Sequence, residues 1–190
     1  SYTLYRIKAL KYLMFTHKFP FFVRKGQLGG FVEKEDNLSQ DGKCWIYNEA
    51  KVYGKAKVYN DAQIFDFAQV YGNAIVSGDA RIYDYAEVYN EAQVFGHAKV
   101  FDNAWISGNA LIFGNAQIFG KAWVYGNANV YGNAWIYEGS FAYDNACICG
   151  NARVGGEATV CEDGVISLSC LIKGTTKICG NTLIGEKQKK

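Results

Sequence analysis

Apolar positions along this chain recur in sixes. From Ala50 a small residue returns at Ala56, Ala62, Ala68, Ala74 and onward to Ala134 without a gap. Ser140 takes the slot once, Ala146, Ala152 and Ala158 resume it, and Gly164, Cys170, Thr176 and Thr182 close the series. Two residues after each small residue sits an aliphatic one, from Val52, Val58 and Ile64 through to Ile184, with Ala142 as the one lapse. Successive residues of a strand point to opposite sides. A unit such as Ala122-Trp123-Val124-Tyr125-Gly126-Asn127 therefore sets Ala122 and Val124 on one side and Trp123 and Tyr125 on the other. The pair Gly126-Asn127 follows, and Gly, Asn and Asp accept the positive φ that a tight corner demands. Apolar spacing of two within a period of six leaves no stripe at 3.6 residues, which excludes a helix. Each hexad is a short strand plus a corner, and an uninterrupted run of them is one repeat array.

The array spans residues 44–185, and the rest of the chain lies outside the period. Within residues 1–43, Tyr2 to Leu10 and Phe19 to Val23 read as strands, with Gly26 and Gly29-Gly30 marking turns and Phe31-Val32 a short strand. This segment is expected to form one or two hairpins that cap the open first coil, because a bare solenoid end exposes unpaired backbone. Residues 186–190 form a charged tail. Composition agrees with a repetitive β protein: 190 residues hold 21 Gly, 14 Tyr and 12 Phe but one Pro and one Met. No apolar run approaches the roughly 20 residues needed to span a bilayer, and residues 1–43 do not show the charged-then-apolar pattern of a leader. The expectation is a cytoplasmic protein with no membrane contact. The net charge of +2 is unevenly spread. Residues 1–43 carry eight Lys or Arg against four Asp or Glu, and the array carries nine against thirteen. A mildly acidic shaft argues against a nucleic-acid groove along its length, since phosphate binding needs clustered cations. Only the basic N-terminal segment offers such a contact.

A strand-and-corner unit of six, repeated without interruption and carrying pairs such as Val52…Ala56 and Ile112…Ala116, resembles the hexapeptide-repeat, left-handed parallel β-helix family. The resemblance covers the whole array. It implies a triangular solenoid of three hexads per coil, about eight coils between Ile46 and Ile184, wound left-handed. A narrower resemblance rests on Gly26-Gln27-Leu28-Gly29-Gly30-Phe31-Val32-Glu33, then Asn37 to Gly42 and Cys44-Trp45-Ile46. These residues look like the start of the YdcK-like proteins of bacteria and phage, a subgroup called hexapeptide transferases after the fold.

Stacking every third hexad turns the sequence into a surface map. One outward column reads Lys51, Gln69, Glu87, Trp105, Trp123, Phe141, Thr159, Lys177. Trp105, Trp123 and Phe141 thus fall on three successive coils, flanked by Tyr125 and Tyr143. Stacked aromatics stabilise a sheet wherever they occur, but contiguous exposed Trp also marks interfaces. These five residues are the candidate surface for a partner protein or for self-association as a dimer or trimer. A sugar-stacking platform is a third use of the same rings. Regular ranks of Thr, as an ice-binding face wants, are missing.

The resemblance also implies acetyl-CoA-dependent acyl transfer, in which a histidine serves as general base. Here only His17 and His97 exist, and His97 fills the corner slot of Gly96-His97-Ala98 where Asn is common. No loop interrupts the hexads, and a regular prism is expected to lack a pocket of its own. His97 is therefore a weak catalytic candidate that needs a trimer groove, and no cofactor is expected. The six cysteines read mostly as small apolar residues with reduced thiols. Cys161 and Cys179 share an outward column on adjacent coils, close enough for a disulfide or, as weak candidates, two metal ligands. The leading expectation is a rigid, non-catalytic interaction module, one form of which is a phage or mobile-element inhibitor of a host protein. Acyl transfer is the alternative.

Overall fold

A computed structural model describes residues 2–15 and 21–185. His17, Pro20, part of the expected strand from Phe19, and the tail 186–190 lie outside them. The chain forms a parallel β-solenoid of about nine turns, with three long sheets of ten, nine and eight strands and no α-helix among the described residues. Its strands are short, and each pairs in parallel with the strand one turn on, three hexads later, as in Gln69↔Glu87 and Ile75↔Gln93. At about 4.8 Å between strands the shaft is about 40 Å long. Alanine and aliphatic columns point inward: Ala50 to Ala134 and Val52 to Ile136 are all at or within 1% of full burial. Small residues and branched ones alternate to fill the interior between the three sheets.

The corners repeat as strictly as the core. Every sixth residue from Asn48 to Gly180 has a positive φ, between 53° and 73°. Gly, Asn and Asp hold nearly all of these positions, with Glu138 and Glu162 as charged substitutes and Leu168 as the only apolar one. The left-handed region costs an L-residue about 1–2 kcal/mol, and glycine gives back about 0.5–1 kcal/mol in chain entropy. Leu168→Gly is expected to raise stability by about 0.5–1 kcal/mol in urea unfolding. A loss would mean that the exposed Leu168 side chain contributes more than its backbone costs. The next corner residue forms amide ladders. Asn109, Asn127, Asn145 and Asp163 pass hydrogen bonds of 3.1, 3.2 and 3.1 Å up one edge, and Asn115, Asn133 and Asn151 do so on another.

One more turn exists than the hexads indicate, because residues before Cys44 join the long sheets. Strands β1 (Tyr5–Lys8), β2 (Leu13–Phe15), β3 (Phe21–Val23), β4 (Leu28–Val32) and β5 (Leu38–Gly42) precede the period. β4 and β5 pair in parallel with Lys51–Val52 and Lys57–Asn60. Their partners, Phe31↔Lys51 and Leu38↔Val58, lie two positions further along the chain than partners such as Gln69↔Glu87 do. The excess is taken up within β5, between Leu38 and Gly42, where the pairing returns to the usual spacing at Gly42↔Asn60. Between β4 and β5 the chain makes a 3-10 turn, Glu35–Asn37. Asn37 closes the break that this turn makes in the ladder. Its backbone N–H bonds back to Lys34 O, so it is lost to the ladder. Its side-chain Nδ2 donates instead to Gly54 O at 3.2 Å and Ala56 O at 2.9 Å, while Oδ1 accepts from Lys34 N–H at 2.9 Å. β1 lies antiparallel on the outer edge of β4, and β2 pairs with β3.

Candidate functional site

The three predicted rings of the candidate face sit in register on consecutive turns, Trp105↔Trp123↔Phe141. Trp105 and Trp123 stack with centroids 4.6 Å apart and planes 24° apart. Trp123 and Phe141 are 5.9 Å apart and tilted by 53°. Elsewhere the outward aromatics form near-parallel ladders, such as Tyr53, Tyr71 and Tyr89 at 5.0 Å and 2–4°. Tyr125 and Tyr143 belong to this regular kind, 4.9 Å apart at 8°. The break in stacking comes between Trp123 and Phe141. Trp123 is 39% exposed, and Trp105 and Phe141 are half-buried.

Sequence reasoning passed over the corner beside this face. Phe67 and Tyr85 occupy corner slots just before the strands Gln69–Val70 and Glu87–Val88, which lie below Trp105 in the same sheet. Their rings stack at 5.1 Å and are 51% and 58% exposed. Their signal was available, since Asn, Lys or an acid fills most such slots. By contrast, the outward slots at Trp45 and Gln63 on another face are buried, and Trp45 Nε1 and both amide atoms of Gln63 have no hydrogen-bond partner in the protein.

His97 stands exposed on a corner, and Asp79, one turn below, holds its Nδ1 at 3.1 Å from Oδ2. No cavity lined by His97 accompanies this pair among the described concavities. The expectation that a prism has no pocket needs amending in two places. A groove of about 250 Å³ lies on the shaft beside Phe65, Arg81, Tyr83 and Lys99. A larger cavity, about 660 Å³, opens where β1 and the residues after it meet the first turn, lined by Ile7, Ala9, Leu13, Leu38, Cys44 and Trp45.

The cysteines divide into kinds. Cys161 and Cys179 are joined in a disulfide, Cα atoms 4.6 Å apart, so their sulfurs are not free to ligate a metal. Cys44 is buried, and burial pushes its thiol up to about 11. Cys147 and Cys149 are free and half-buried. Burial raises the Cys147 thiol, and the Tyr131 phenol is raised by hydrogen bonds with Cys149 and then Cys147. Among the described residues no group of three or more His, Cys, Asp or Glu could hold a metal ion, and no helix is long and apolar enough to cross a membrane.

No curated protein matches the chain. Residues 68–84, a little less than one turn, match the YdcK beta solenoid repeat. In its repeat and in its fold the chain is similar to β-solenoid proteins of that kind.

Proposed function

We propose that the chain is a rigid, non-catalytic β-solenoid module that binds a protein partner, or a second copy of itself, through Trp105, Trp123, Phe141, Tyr125 and Tyr143. The observation that carries this reading is Trp123, 39% exposed and stacked on Trp105 in the middle of a flat sheet. Phe67 and Tyr85 extend the aromatic surface onto the adjoining corner. Binding energy concentrates in such Trp and Tyr anchors, and a rigid shaft presents them with little ordering cost. Left-handed winding, descent among hexapeptide-repeat proteins of bacteria and phage, action as an inhibitor of a host protein and a cytoplasmic setting belong to the same reading through the resemblance. A reducing cytosol would open Cys161–Cys179, whereas an oxidising compartment keeps such bridges. The basic N-terminal segment serves as a second contact. The test is whether a partner retained by the native chain, or a dimer or trimer seen in sedimentation, is lost when Trp105 and Trp123 become Ala.

A second reading, acyl transfer, is favoured by one specific observation. The Asp79 contact on His97 Nδ1 leaves Nε2 facing outward as a general base, the arrangement in which a carboxylate orients an imidazole. The groove this needs would come from a neighbouring subunit. His97→Ala is then expected to remove acetyl-CoA-dependent transfer by about a hundredfold or more. Equal rates in both chains would end this reading and leave the binding module untouched.

A further inference from the structure

Cys147 and Cys149 flank Ile148, whose side chain is fully buried, so both thiols leave the strand on its outer side. One turn below, in the same column as Cys149, stands Tyr131. The Cys147 thiol donates to Tyr131 Oη at 3.8 Å, Cys149 is near enough to act on the same hydroxyl, and the two thiols act on each other. Two thiols and a phenol therefore converge on one spot of the surface. Their neighbours in the sheet are Asn129 below Cys147 and Val165 above it, and Ser167 stands one turn above Cys149. None of these is charged.

We propose that Cys147 and Cys149 form a two-coordinate site for a soft monovalent metal ion, Cu(I), with Tyr131 as a hydrogen-bond donor to the bound sulfurs. Thiolates select Cu(I), zinc and iron–sulfur clusters. Zinc requires four ligands and a cluster four cysteines, and among the described residues no third His, Cys, Asp or Glu stands near enough to complete such a set. Cu(I) is satisfied by two thiolates. On binding, two S–H bonds release their protons to solvent and two Cu–S bonds form, with no change of oxidation state. The Tyr131 hydroxyl, an acceptor from the Cys147 thiol in the free chain, turns to donate to the thiolates. A short strand inside a stacked sheet holds the two sulfurs on one side before the ion arrives, so little freedom is lost on binding.

The full chain is titrated anaerobically with Cu(I) held by a chromophoric chelator and without thiol reductant, so that Cys161–Cys179 stays bridged. One Cu(I) per chain is expected, with two sulfur neighbours in X-ray absorption. Cys147→Ser and Cys149→Ser should each weaken retention against the chelator by about a hundredfold, and Tyr131→Phe by about tenfold. Cys44→Ser with Cys170→Ser should change nothing. Both single serine variants keep an outward polar side chain and should fold, which their unchanged melting checks. Retention that survives Cys147→Ser or follows Cys44 or Cys170 overturns the proposal. So does a shell of three or four sulfurs, or copper that pairs two chains in sedimentation.

Discussion

Replacing both Trp105 and Trp123 by Ala is expected to weaken partner binding or self-association by at least about a hundredfold, roughly 3 kcal/mol, while the fold stays intact. The two effects separate because the two rings lie outside the core. Stability resides in the inward columns, where Ala104, Ile106, Ala122 and Val124 are fully buried and untouched by the change. What the fold loses is the Trp105–Trp123 stack at 4.6 Å and the tilted Trp123–Phe141 contact at 5.9 Å, each worth about 0.5–1.5 kcal/mol. The paired backbone stays, since Trp105 N–H donates to Ala122 O whatever the side chain.

The control is Trp135 on another face. It meets Phe119 edge-on at 6.0 Å and carries Arg153 over its ring at 4.4 Å, so its removal costs the fold a comparable amount. Trp135→Ala should leave binding unchanged. A melting comparison of the three chains, with the partner assay or sedimentation run beside it, reads both quantities. Equal binding by the native chain and the double variant would sink the proposed face. A double variant that unfolds would instead show that the stack is structural, and Phe67→Ala with Tyr85→Ala would then probe the same surface from the corner.

The interior of the shaft was legible because one rule generates it. A small residue and an aliphatic one at spacing two, repeated every six, leave a single way to close a dry core, and Val52 to Ile136 follow it throughout. The surface columns were legible by the same count, so Trp105, Trp123 and Phe141 stack where every third hexad puts them. Pairs across one turn were also within reach of the sequence: Asp79 lies three hexads before His97, and Tyr131 three before Cys149. They were missed because columns of like residues attract notice and mixed pairs do not. Ring tilt at Trp123 and the burial of Trp45 and Gln63 were not legible, since both depend on side-chain size and on what the N-terminal strands cover. Where the period stops, the reading weakened most. β4 and β5 belong to the long sheets, but a register longer by two positions hides them from a search in sixes.

The 3-10 turn between β4 and β5 makes Asn37 the residue on which the first turn depends, and Asn37→Asp is expected to cost about 3 kcal/mol or more at neutral pH. The two side chains have the same shape, so packing is preserved and only hydrogen bonding changes. Asn37 is fully buried, and its Nδ2 supplies both hydrogens to Gly54 O and Ala56 O in place of the backbone donors that the 3-10 turn removes. A carboxylate has no hydrogen to give. It would leave two buried carbonyls unpaired and set a negative charge against them. Burial and the facing carbonyls both disfavour the charged form, so the folded-state pKa of the new Asp must rise above its ordinary value of about 3.9. With the folded value raised, the deficit is smallest below about pH 4 and grows as pH rises through the folded pKa. The gap between variant and native chain should therefore narrow on acidification from about pH 8 to pH 4, when the protonated acid regains one donor. A solenoid loses stability locally, turn by turn, so the sharpest readout is amide hydrogen exchange in β4, β5 and Lys51–Val52. Faster exchange confined to those strands, relieved at low pH, is the expected result. Exchange rates equal to those of the native chain at every pH would show that Asn37 does not hold the first turn to the second.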